Sequence, residues 1–231
     1  RGANSRRPAA VGAGKMTARR GTDWRDQLVR RFKDSTPLHD VSQWCLSGMS
    51  AEHSQRFIRH FPAQPVHAAV LVPLIERPQG MQVLLTVRAA GLKNHAAQVS
   101  FPGGRVDPAD EGPRGAALRE AQEEIGLAPD LVEVIGYLPD HLVVSGYRVT
   151  PVLGLVNPAH SLVLNPHEVV ATFEVPVDHV FDPVNHQARK RRFDNGDEVD
   201  IYDIPFGEHH IWGATAGMLL TLCRLVQPPV V

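Results

Sequence analysis

Apolar and polar positions divide this chain into segments with distinct periods. Residues 68–75 (AAVLVPLI) form a short, nearly unbroken apolar run, which predicts a buried strand; Arg77-Pro78-Gln79-Gly80 reads as a turn and 83–87 as the returning strand. The stretches 131–138, 148–156 and 169–175 continue the sheet, and Asn195-Gly196 is a two-residue hairpin signal between 187–193 and 198–204. Helical patterns cover 24–32, then 41–61 beyond Pro37, and an apolar stretch from about 214 to 226. One further helix is predicted over 114–125, with Pro113 in its first turn and Gly126 as its C-terminal cap. Strands and helices interleaved in this way predict an α/β (α+β) fold, a mixed β-sheet sandwiched between helices. The expected organisation is a disordered tail over 1–22, a helical extension over 23–65 and the main domain over 66–231, with no internal repeat.

Composition narrows the function classes. The chain has 231 residues, 21% of them charged, and a net charge of -1, so no global basic field recruits nucleic acid or a membrane. No run approaches the roughly 18 consecutive apolar residues of a membrane span. Two distant cysteines, Cys45 and Cys223, argue against a disulfide framework and for a reducing, cytoplasmic setting. The Arg-rich, acid-free 1–22 segment also suits an organellar transit segment; Met16 offers an alternative start, in which case the residues before it are not native. Twelve histidines show no zinc spacing, and the basic run Arg189 to Arg192 is balanced by Asp194, Asp197, Glu198 and Asp200. Homodimer assembly is compatible with this composition.

The chemistry concentrates where a glycine-rich loop runs into the 114–125 helix. Glu120 and Glu124 are i, i+4 neighbours and Glu123 lies beside them, so three like charges share about one turn. Glu123 and Glu124 also fall in the last turn, where the helix dipole disfavours anions. Two readings compete: a solvated acidic face, or a site where a divalent cation turns the repulsion into attraction. The context favours the cation. Arg119 can pair with Glu123 at i+4, Ala116, Ala117 and Ala121 allow close packing, and Gly103-Gly104 let a backbone carbonyl approach an ion.

The segment GGRVDPADEGPRGAALREAQEEIGL (103–127) resembles a Nudix box, G-x5-E-x7-R-E-U-x-E-E-x-G-U with U a bulky apolar residue; Arg119, Glu120, Glu123, Glu124, Gly126 and Leu127 match in register. Counting back from Arg119 puts the early acid at Glu111, which leaves Gly104 one residue too early, and Ala121 replaces a bulky residue. The preceding run, Leu84-Leu85-Thr86-Val87-Arg88-Ala89 through to Phe101-Pro102-Gly103-Gly104, resembles the signature of coenzyme A pyrophosphatases, with Ala97 where that signature carries glycine. The segments 134–136, 146–152 and 211–217 resemble that subfamily too. The resemblance implies a Mg²⁺- or Mn²⁺-dependent hydrolase that cleaves the pyrophosphate of coenzyme A or its thioesters to 4′-phosphopantetheine, or its acyl form, and 3′,5′-ADP. It implies Glu120 and Glu124 as principal metal ligands, Glu123 as ligand or catalytic orienter and the Gly104 backbone as an oxygen donor.

Glu168 is the candidate general base, because an acid just before the 169–175 strand resembles the superfamily's additional downstream carboxylate; an exposed strand-entry charge is the equal alternative. Arg88, Lys93, His95 and Gln98 lie on the approach to the phosphate site, and Tyr147 offers a ring to adenine or the pantetheine arm, with a core or turn tyrosine as the competing reading. Two alternatives to coenzyme A remain: a Nudix pyrophosphatase for ADP-ribose, dinucleotides or nucleoside triphosphates, and a nucleotide-sensing or RNA-binding module.

Overall fold

The computed structural model describes residues 23–37, 64–91, 97–143, 146–192 and 198–227. Its central element is β1 (Val66–Arg77), with each face of the strand buried. Along one edge it pairs in parallel with β7 (Tyr147–Val156), from Val66 opposite Tyr147 to Ile75 opposite Val156. The other edge is divided. Its first half receives the short β4 (Gly103–Arg105), with Ala69 opposite Gly104, while its last residues turn back into β2 (Gly80–Arg88). Between the two, the Leu71 amide donates to Pro102 O at 2.9 Å, so the glycine loop is laid directly onto the middle of the sheet.

β2 leaves β1 after the turn and pairs with β8 (Val169–Pro176) and with β3 (Val99–Ser100). β5 (Val132–Tyr137) and β6 (His141–Val143) line the far edge of β7, completing an eight-stranded mixed sheet. A separate antiparallel sheet holds β9 (Gln187–Arg192), β10 (Glu198–Phe206) and β11 (His209–Trp212).

Alternation along the strands sorts the side chains into two cores. Ala69, Leu71 and Ile75 of β1, Leu84 of β2 and Val152 and Val156 of β7 face α2 (Gly112–Ile125), which contributes Ala116, Ala117, Ala121 and Ile125. Ala68, Val72 and Leu74, with Val83, Leu85, Val149 and Leu153, face the opposite layer of α1 (Trp24–Phe32), α3 (Val177–Phe181) and α4 (Gly213–Val226). The predicted mixed sheet between helices is therefore the observed architecture. α1 joins the same core as the sheet: Leu28 and Phe32 are buried in it, and Trp24 Nε1 donates to Asp178 Oδ1 at 3.0 Å.

The long predicted elements appear with ends shifted by a few residues. The short strands β3, β4, β6 and β11 and the one-turn helix α3 were not anticipated; segments of two to five residues are too short to display a period. The predicted 41–61 helix and the Asn195-Gly196 turn lie outside the described residues. No helix among the described residues is long and apolar enough to cross a membrane.

Candidate active site

α2 approaches β1 and β4 closely because its inner face is alanine at 116, 117 and 121, and it stops where Gly126 takes φ 69°. Ala121, which replaces a bulky residue in the pattern, is fully buried in this contact. The approach lays the Glu120 carboxylate on the glycine loop: a Cβ at Gly104 would lie 2.5 Å from Glu120 Cδ. Any side chain there would displace the carboxylate.

One turn on, Glu124 is only 1% exposed. Its Oε2 accepts the Gly103 amide at 3.1 Å and its Oε1 faces Arg88 Nη1 at 3.3 Å. Burial pushes the Glu124 carboxyl up to about 7, Glu168 and Glu120 add to the push, and Arg88 and the Gly103 amide oppose it. Glu120 is raised by burial as well, with Glu123 and Glu168 adding repulsion and Arg119 opposing. Glu123 points outward, its side chain 55% exposed.

Arg119 organises the outer side of the cluster. Its Nη1 donates to Glu120 Oε1 at 2.9 Å and to Glu123 Oε2 at 3.1 Å, and its Nη2 to Arg105 O at 3.1 Å. The i+4 pairing with Glu123 is the predicted one. The early acid is not Glu111, whose exposed side chain, among the described residues, pairs only with Arg114, at 3.7 Å. Asp110 takes that place and receives both Nε and Nη2 of Arg119. Asp110 is also six residues after Gly104, in register with it, so the extra residue lies between Asp110 and Arg119, where Gly112 opens the helix with φ 62°.

Glu168 reaches the same cluster from the loop before β8. Its charge acts on both Glu120 and Glu124, its carboxylate accepts Asn165 Nδ2 at 3.1 Å, and its backbone carbonyl accepts the Ala89 amide. Asn165 in turn donates its amide to Glu124 O at the end of α2. Sequence reasoning missed Asn165; the Asn-Pro turn signal at 165–166 was there to find it. Gln98 holds the other side of the approach, its carbonyl accepting the Arg88 amide at 3.0 Å. Lys93 and His95 lie outside the described residues. Tyr147 is not brought to the carboxylates: its ring packs on the opposite core, where its hydroxyl accepts Arg105 Nη2 at 3.2 Å.

Glu120 and Glu124 are two desolvated carboxylates whose charges repel each other, set beside a glycine backbone. An all-oxygen donor set of this kind fits a hard divalent cation. Among the described residues, no three His, Cys, Asp or Glu side chains converge as a ready-made cage; Glu120 and Glu124 are each turned onto a guanidinium instead.

A family model of the NUDIX domain matches residues 65–199. The uncharacterized Nudix hydrolase NudL of Escherichia coli (strain K12) is 42% identical over 158 residues, which cover 67% of this chain and 80% of that protein. NudL of Shigella flexneri is 40% identical over 168 residues, 71% of this chain and 85% of that protein. Among solved structures, the Nudix hydrolase RenU from M. smegmatis aligns with a TM-score of 0.43 at 26% identity, over 50% of this chain and 73% of that one. The domain match and the identity to NudL agree with the acidic helix and glycine loop described above: the chain belongs to the Nudix hydrolases, a family of enzymes that generally work with divalent metal ions.

Proposed function

We propose that this Nudix hydrolase cleaves the pyrophosphate bond of coenzyme A or its thioesters, with Mg²⁺ or Mn²⁺, releasing 4′-phosphopantetheine or its acyl form and 3′,5′-ADP. The observation that carries the reading is the run from Leu84 to Gly104, which resembles the coenzyme A pyrophosphatase signature except at Ala97 and ends in the glycine loop. Its two ends meet at one carboxylate: Arg88 and the Gly103 amide both contact Glu124. The residues that distinguish the subfamily and those that hold the cation thus form one contact network.

A bound divalent cation supplies charge to the pyrophosphate oxygens and acidifies water. Glu120 and Glu124 would hold it, with the Gly104 backbone oxygen beside them, and exposed Glu123 would orient the outer side through Arg119. Glu168, fixed by Asn165, accepts the proton of the attacking water. Arg88 offers phosphate a two-point donor on the approach that Gln98, Lys93 and His95 share. Tyr147, half-buried with its hydroxyl on Arg105, offers its ring edge to the adenine or the pantetheine arm.

The test is kcat/KM for coenzyme A, 3′-dephospho-coenzyme A and ADP-ribose, with products identified by mass. Coenzyme A is expected to lead its dephospho form by about ten- to a hundredfold, the value of charge-assisted bonds to one phosphate. Equal turnover of all three would leave the Nudix chemistry standing and remove the coenzyme A assignment.

A further inference from the structure

Arg88 ends β2 and its side chain crosses to the α2 face, where it meets Glu124 through one nitrogen only, Nη1 to Oε1 at 3.3 Å. Its Nε is buried and has no hydrogen-bond partner among the described residues. Two other arginines of this molecule engage their carboxylates at two points: Arg119 grips Asp110 through Nε and Nη2, and Arg77 grips Glu174 through the same pair of nitrogens. A guanidinium placed to serve a buried carboxylate permanently would do likewise. At Arg88 the charge is used and most of the fork is not, on a side chain that is 22% exposed.

Resting on the reading of Glu124 as a cation ligand, we propose that Arg88 and the divalent cation are alternative partners of the same Glu124 oxygen, and that Arg88, displaced from it, turns its fork onto a phosphoryl oxygen of the substrate. Two cations on one carboxylate oxygen repel each other strongly in so desolvated a place. The planar fork that finds one contact at Glu124 finds two on a phosphate. Arg88 then couples the two binding events. It lowers cation affinity while no phosphate is present, and phosphate raises cation affinity by drawing Arg88 away; by linkage the two effects are reciprocal.

The test is calorimetric titration of Mn²⁺ into the wild-type protein, Arg88→Met and Arg88→Gln, each checked for wild-type circular dichroism. Every titration is run with and without methylenediphosphonate, corrected for the Mn²⁺ this probe binds in solution. Both neutral variants are expected to bind Mn²⁺ more tightly, on the order of tenfold, within the range usual for coupled sites. The probe is expected to tighten Mn²⁺ binding several-fold more in the wild type than in either variant. Unchanged or weaker Mn²⁺ binding in the variants overturns the competition for Glu124, and equal tightening by the probe in all three proteins overturns the transfer to phosphate. Neither ion nor probe carries the adenosine or pantetheine groups, so failure of the coenzyme A assignment leaves both outcomes unaffected.

Discussion

Arg119 grips Asp110 at two points, Nε to Oδ1 at 2.9 Å and Nη2 to Oδ2 at 3.0 Å, and through that grip the loop before α2 is locked to the helix that carries Glu120, Glu123 and Glu124. The Asp110 side chain is 7% exposed and its carboxyl is held below the usual carboxylate range, chiefly by Arg119. The same guanidinium reaches Glu120 and Glu123, so its position sets theirs.

Asp110→Asn keeps the shape and removes the charge that anchors Arg119. It is expected to lower stability by about 1–3 kcal/mol and kcat by at least tenfold, while Glu111→Gln changes neither. Denaturant unfolding and steady-state kinetics on the two variants check this. The reverse ranking would restore Glu111 as the anchoring acid.

The contrast between these two neighbours marks where the sequence was legible and where it was not. Trp24–Phe32 and the helix ending at Gly126 carried periodic patterns and stop signals, so they were read almost to the residue. The register of the acidic loop was not readable, because one extra residue shifts either the glycine or the acid, and only the grip of Arg119 decides between them. The contact of Arg88 with Glu124 spans 36 residues and depends on how β2 passes α2, which no local spacing encodes. Tyr147 shows the same. The strand was read from 148, one residue after it, and the face Tyr147 takes as the first residue of β7 follows from pairing with β1.

Ala97 stands where the coenzyme A pyrophosphatase signature has glycine, and it is the only non-glycine residue with positive φ among those described, at 58°. An L-residue in this conformation costs about 1–2 kcal/mol, partly offset against glycine by the latter's greater unfolded-state entropy. Ala97→Gly is expected to raise Tm by about 2–4 °C with kcat unchanged. A lower Tm would show that the methyl group makes a compensating contact.

If Glu168 accepts the proton of the attacking water, Glu168→Gln lowers kcat by two or more orders of magnitude with a small effect on KM, and the acidic limb of the pH–rate profile changes. Asn165→Ala, which removes the bond at 3.1 Å that orients this carboxylate, is expected to lower kcat less and leave the pH profile in place. Near-wild-type turnover of the Glu168 variant would move the base to another carboxylate.

Glu124 and His141 pull metal-free stability in opposite directions with pH. Burial raises the folded Glu124 carboxyl from 4.5 to about 7, so the folded protein binds more protons than the unfolded chain across that window, and stability falls as pH rises through it. His141 is fully buried and is lowered by that burial from 6.5 to about 4, so the unfolded chain binds more protons there, and stability rises with pH over 4 to 6.5. The two slopes oppose each other where they overlap, and the wild-type curve alone cannot separate them. Glu124→Gln can, because it removes one slope and keeps the other. In chelator the variant is expected to be more stable than wild type above pH 7, by up to about 3 kcal/mol, with the gap closing as pH falls towards 4.5. Adding Mn²⁺ should reverse the ranking at pH 8, since only the wild type gains from the cation. Denaturant unfolding of both proteins at four or five pH values checks this. A gap that stays constant with pH would mean that Glu124 carries no unfavourable charge in the folded, metal-free protein, and the electrostatic account of the site would fall with it.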